Sequence, residues 1–184
     1  MLTIWKTLVQ SKLDYCSQLW CPTDQASISS LESISRHFTA QVYGLGELDY
    51  WDRLQALRLY SQERRRERYR IIFVRKVLQG FVEAYHLPSY RGPRRGRFVE
   101  IPKYCTKSPS AVWQARETSL SVHGARLFNL IPQHLRDMSV GTVEQFKHGL
   151  DDWLVTVPDQ PTIPGRQRAA NTNSIIDQVA YAAD

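Results

Sequence analysis

The sequence predicts a mainly α-helical protein, and three observations carry that prediction. Apolar residues recur at three- and four-residue steps along most of the chain. Pro22, Gly44, Gly80 and Pro132 punctuate those runs where helices would stop. Only residues 97–102, Arg-Phe-Val-Glu-Ile-Pro, alternate apolar and polar types as a short edge strand does. The expected organisation is a helical bundle over residues 1–85, then a basic loop or hairpin with C-terminal helices over 86–157. A disordered tail is expected over 158–184.

The elements follow in order. Leu2, Trp5, Leu8, Val9, Leu13, Cys16, Leu19 and Trp20 keep a helical period up to Pro22. This pattern starts at Met1 without a cap, as in a piece of a longer frame. Thr23 or Asp24 caps the next helix, whose apolar set is Ile28, Leu31, Ile34, Phe38 and Val42. Asp49 caps a short helix carrying Trp51, Leu54 and Leu57. A long helix then spans roughly 59–79. Its first half is charged; its second half presents Tyr69, Ile72, Phe73, Lys76 and Val77 on one face. Residues 86–109 hold four of the nine prolines and read as a basic loop with a possible hairpin. Helical pattern returns at residues 124–130. It returns again from about Thr142, with Phe146, Leu150, Trp153 and Leu154 on one face. A weak last turn or two is expected at 174–179.

Composition narrows the function. Hydrophobic residues make up 42% of the 184 and charged ones 23%, ordinary for a globular chain. The formal charge of +6 favours acidic partners. Fifteen of the 24 Lys and Arg fall within residues 53–76 and 91–107. No apolar run reaches the ~18 residues that span a membrane. Cys16, Cys21 and Cys105 have no framework or metal spacing and read as buried thiols in a reducing compartment.

No catalytic or metal-ligating constellation emerges. His123, Ser121 and Asp137 have the letters of a triad without its geometry. Asp151 and Asp152 could share a magnesium ion, but neighbours on a helix point about 100 degrees apart, so they read as a polar face. Binding is the better prospect. Arg64, Arg65, Arg66, Arg68 and Arg70 form one basic patch, with Arg75 and Lys76 beyond it. Arg91, Arg94, Arg95, Arg97, Lys103 and Lys107 form a second, interleaved with Tyr90, Phe98 and Tyr104. Guanidinium groups suit phosphate, and aromatic faces stack on bases. The bland alternative for the first patch is a solvated face with Glu63–Arg66 and Glu67–Arg70 pairs at helix spacing.

Several segments, taken in order, resemble one family. They are residues 8–22, with Leu13-Asp14-Tyr15-Cys16-Ser17-Gln18-Leu19-Trp20-Cys21-Pro22, and residues 31–39, Leu-Glu-Ser-Ile-Ser-Arg-His-Phe-Thr. Leu48-Asp49-Tyr50-Trp51-Asp52-Arg53-Leu54 and the arginine run of 59–69 follow. Leu127-Phe128-Asn129-Leu130-Ile131-Pro132 and then Phe146-Lys147 complete the set. Together they resemble the region downstream of the palm in reverse transcriptases of LINE-type, non-LTR retrotransposons of the jockey kind. The resemblance covers roughly residues 1–164. It implies a thumb-like helical bundle that grips template-primer, whether RNA, DNA or RNA–DNA hybrid, through phosphates. It implies an upstream palm and fingers as partners, a nuclear or cytoplasmic place and no membrane. The parent reaction would use magnesium, but no catalytic residue of the palm matches a position here. The nucleic-acid contacts implied are Arg64, Arg65, Arg66, Arg68 and Arg70; composition adds Arg94, Arg95 and Arg97. The competing expectation is an inert or reused structural remnant with no nucleic-acid role.

Overall fold

The computed structural model describes residues 1–22, 24–83, 90–91, 98–103, 109–137, 141–161 and 173–181, with Tyr90, Arg91 and Tyr181 described by backbone alone. The described residues form nine helices and one two-stranded ladder. The mainly helical class is therefore as the sequence predicts.

Helix α1 covers residues 2–14 and contains a π-helical turn, Trp5–Gln10. It stops eight residues before Pro22, because Tyr15 turns extended and Cys16 adopts φ 51°. The predicted stop at Pro22 is thus wrong; Leu19 lies in a turn and Trp20 just after it. Trp5 is the anchor of α1, stacked on Phe38 at 4.1 Å between ring centroids. Helix α2, Gln25–Ala40, is capped by Asp24, which accepts from the Ser27 N–H at 2.8 Å. Its buried residues are Glu32, Ser35 and Thr39, while Ile34 is exposed. The apolar face predicted for this helix is therefore half covered, and the polar stripe beside it faces inward. Helix α3, Tyr50–Ala56, starts at the predicted Asp49 cap and buries Tyr50 and Leu54.

Helix α4, Gln62–Leu78, is the spine. Ser61 caps it by accepting from the Arg64 N–H at 3.1 Å. Gly80 closes it at φ 75°. The Phe81 N–H reaches the Lys76 carbonyl and the Gly80 N–H that of Val77, a Schellman closure. The predicted apolar face shifts: Ile71, Ile72, Val74 and Arg75 are buried, and Phe73, Lys76 and Val77 only partly so.

The possible hairpin is present as two short strands. Strand β1, Tyr90–Arg91, pairs antiparallel with β2, Phe98–Val99. Asn129 extends the ladder with its amide: the Val99 N–H donates to Oδ1 at 2.7 Å, and Nδ2 donates to the Val99 carbonyl at 2.9 Å. Helix α5 is Ser110–Glu117. Helix α6 covers 120–130 and begins with a π-helical turn, Leu120–Gly124. A Cβ on Gly124 would stand 3.1 Å from Val74 Cγ2 and 2.9 Å from Leu120 Cδ1, so glycine lets α6 lie tight on α4. Helix α7, Gln133–Arg136, precedes α8, Val143–Thr156, which opens on a Thr142–Gln145 capping box.

One core joins the three sequence divisions. Ile71, Ile72 and Val74 of α4 pack with Leu127 and Phe128 of α6, with Phe146, Leu150 and Leu154 of α8, and with Ile175. Ile175 opens helix α9, Ile175–Tyr181, and is fully buried. The disordered tail expected over 158–184 is corrected for 173–181, because this helix fills a gap in the core and has buried polar anchors. No helix among the described residues is long and apolar enough to cross a membrane.

Candidate functional site: the arginine half of α4

The first nine residues of α4 carry only Tyr69 as an aromatic and no aliphatic side chain. They are nonetheless packed on several sides, so their polar groups need partners within the protein. Arg64 is fully buried. Its Nη1 donates to the Val157 carbonyl at 3.3 Å and its Nη2 to the Pro158 carbonyl, while Nε lies 3.8 Å from Asp159 Oδ1. Arg66 is 3% exposed. It donates to the carbonyls of Trp20 at 3.2 Å and Leu13 at 3.0 Å, with its guanidinium 3.9 Å above the Trp20 ring.

These contacts share a logic. Leu13 lies in the last turn of α1, and Val157 is the C-cap of α8. Helix C-termini present unpaired carbonyls and the negative end of the dipole. Arg66 and Arg64 thus cap two neighbouring helices. Arg136 does the same for α6, donating through Nη1 to the Asn129 carbonyl. A guanidinium offers a fork of donors, so one side chain serves two carbonyls.

The other members of the predicted patch are also engaged. Arg65 forks onto Asp14, and the Tyr69 hydroxyl donates to the same carboxylate at 3.2 Å. Arg68 binds Asp151 through Nε and Nη2, the latter at 2.7 Å. Arg70, 2% exposed, donates from Nη1 to His123 Nδ1 at 2.9 Å. An arginine can only donate, so Nδ1 accepts and the ring proton sits on Nε2, 3.8 Å from Glu67 Oε1. Burial, with the Arg70 and Arg126 charges, lowers the His123 pKa to about 4 and keeps the ring neutral. Arg64, Arg66 and Arg70 therefore present no guanidinium to solvent, and Arg65 and Arg68 stay only 22% and 17% exposed. Arg94, Arg95 and Arg97 lie outside the described residues.

The acidic residues of the same helix face elsewhere. Among the described residues neither Glu63–Arg66 nor Glu67–Arg70 forms an ion pair, despite ideal spacing. Glu67 instead accepts from the Ser174 hydroxyl and, at 2.7 Å, from the Ile175 N–H at the start of α9. Glu63 Oε2 accepts from the Asn173 N–H at 2.9 Å. Burial first raises the Glu63 pKa to about 8, with Glu67 adding to it. Burial also raises the Glu67 pKa to about 7. Behind them lies a polar cluster that sequence reasoning missed. Glu32 accepts from the Tyr50 hydroxyl and the Gln62 N–H, and Gln62 Nε2 donates to Ser35 at 2.7 Å and Gln10 at 3.2 Å. The available signal was the lack of any apolar face over residues 62–70.

A pocket of about 260 Å³ opens beside this helix, with Ile28, Leu31, Glu63, Arg66 and Arg70 among its lining residues. Asp151 is taken by Arg68 and Asp152 is exposed, so the two do not converge. No group of three metal-ligating side chains gathers among the described residues. Comparison with known protein families, curated proteins and solved structures finds no match.

Proposed function

We propose that this chain is the helical region downstream of the palm in an RNA-directed DNA polymerase of the non-LTR retrotransposon kind, serving as a scaffold and not as a catalyst. The observation that carries the reading is where the resembling segments sit. Leu13, Asp14 and Trp20 meet Arg65 and Arg66. Glu32 meets Tyr50 and Gln62, and Leu127, Phe128, Ile131 and Phe146 join Ile71 and Ile72. Segments spread over 140 positions gather around one helix, as parts of one folding unit do. In this reading the magnesium of the reaction belongs to the palm.

The grip on RNA, DNA or hybrid then falls to the 91–107 stretch, since the α4 arginines serve the interior. Binding of the folded chain to a labelled RNA–DNA hybrid across a salt series tests this. We expect affinity that falls steeply with salt and drops roughly tenfold in Arg94→Ala/Arg95→Ala/Arg97→Ala. No binding at low salt would reject the nucleic-acid role. It would leave the second reading, a reused protein-interaction module. That reading draws on exposed apolar side chains in the first twenty residues, Ile4, Leu8, Tyr15 and Leu19, each more than 60% exposed.

A further inference from the structure

The arginines in the first half of α4 divide into two groups. Arg65 and Arg68 each hold a carboxylate, Asp14 and Asp151, and Arg64 lies 3.8 Å from Asp159. Among the described residues Arg66 and Arg70 have no carboxylate within 4.0 Å. They stand four residues apart on one helix face, and both line the same pocket. Buried charges are ordinarily paired, so two guanidinium groups without a carboxylate beside one pocket point to an anion. The donor geometry agrees. Arg65 and Arg68 each grip their partner with Nε and Nη2, the fork that fits two carboxylate oxygens. On Arg70, 2% exposed, Nη1 goes to His123, and neither Nε nor Nη2 has a hydrogen-bond partner among the described residues. Arg66 spends both terminal nitrogens on carbonyls, which satisfies those donors and leaves its charge in place.

We infer that this pocket is a binding site for a monocarboxylate on a short alkyl tail, with the carboxylate on the Nε–Nη2 edge of Arg70, Arg66 adding charge, and the tail against Ile28 and Leu31. Pro22 and Ile176 add to the apolar lining. At about 260 Å³ the pocket is smaller than sites for drug-sized ligands, so the tail is short. Glu63, Glu67 and Asp177 also line it. Glu67 gives both oxygens to Ser174 and the Ile175 N–H, and Glu63 gives Oε2 to the Asn173 N–H. Burial raises Glu63 to about 8 and Glu67 to about 7, which thins the negative charge there near neutral pH. Asp177 opposes the anion from α9. Nε of Arg70 is covered, so seating the second oxygen takes a slight turn of the guanidinium. The same chemistry is offered by a free short-chain acid and by a glutamate side chain of another protein. The inference stands apart from the polymerase reading, since neither the pocket nor the unpartnered edge of Arg70 enters it.

The test follows chemical shifts of the whole chain with n-butyrate as probe, n-butylammonium as its same-tail cation and inorganic phosphate as an anion without a tail. We expect saturable shifts with n-butyrate alone. Arg70→Lys keeps the charge and loses the fork, so affinity should fall at least about tenfold. Ile28→Trp fills the pocket and abolishes binding, which decides the matter even if Arg70→Lys fails to fold. With butyrate bound, Nα-acetyl-glutamate methylamide assigns the source: saturable shifts from it admit a protein side chain, and their absence restricts the site to free acids. Equal binding of n-butylammonium or phosphate, unchanged affinity in folded Arg70→Lys, wild-type binding by Ile28→Trp, or no saturable shift at roughly 50 mM n-butyrate overturns the inference.

Discussion

Helix α4 is two helices in physical terms. Residues 71–78 are held as most core helices are: Ile71, Ile72 and Val74 bury apolar area against α6 and α8. Residues 62–70 are buried almost as well, yet Gln62, Arg64, Arg66, Glu67 and Arg70 do it. Apolar packing is non-directional and forgives substitutions that conserve volume. Charge-assisted hydrogen bonds are directional, and a buried group left without its partner bears the full desolvation cost. The two halves therefore reach similar burial with opposite tolerances. The contrast also gives Arg64 and Arg66 a structural use. Helices α1 and α8 end with carbonyls inside the protein, and Arg66 and Arg64 on the central helix satisfy them.

The contrast can be broken by substitution. The largest effect is expected in the apolar half, where Ile71→Ala should cost about 2–5 kcal/mol in urea unfolding while Ile71→Leu costs under about 1.5 kcal/mol. Next comes Arg64→Lys. Its single ammonium cannot fork across the Val157 and Pro158 carbonyls, so a loss of about 2 kcal/mol is expected although the charge is kept. If Arg64→Lys is as stable as the wild type, the fork is not what matters there.

A pH series sharpens the same contrast. Burial holds Glu32, Glu63 and Glu67 at about 7, 8 and 7, against an ordinary 4.5. The folded chain keeps protons that the unfolded chain has already released. Their contribution is whole below about pH 4.5 and is lost as pH rises through 7 to 8. His123, held neutral, acts below its ordinary 6.5 and so outside this range. Between pH 6.5 and 9 the chain should lose about 1 kcal/mol or more, and amides of 175–181 should exchange faster because ionised Glu63 and Glu67 place buried charge against that helix. The smallest effect belongs to the partly exposed Arg68–Asp151 pair. A double-mutant cycle there should return a coupling below about 1 kcal/mol, shrinking with salt.

The sequence made some of this legible. Caps and stops follow local chemistry, so Asp24, Asp49, Thr142 and Gly80 can be read directly. The Phe146–Leu150–Leu154 face of α8 follows from period alone. The end of α1 does not, because a left-handed Cys16 leaves no compositional mark. Nor does the inward turn of Glu32, Ser35 and Thr39, which depends on Gln62 and Tyr50 far along the chain. The arginine helix misleads for a like reason. Arginine next to arginine looks solvated until the carbonyls of Leu13, Trp20, Val157 and Pro158 are placed around it. The 173–181 segment reads as polar tail because its anchors, Glu63 and Glu67, lie 110 positions away or nearly so.

The most direct test of the account is the rate at which phenylglyoxal modifies each arginine in the folded protein, read by peptide mass. Arg36 and Arg58 are exposed and serve as internal references. Arg64, Arg66 and Arg70 should stay unmodified until the chain unfolds, with Arg65 and Arg68 slow. Modification of Arg64, Arg66 and Arg70 as fast as Arg58 would contradict it, and would return the arginine helix to the surface as a phosphate-binding face.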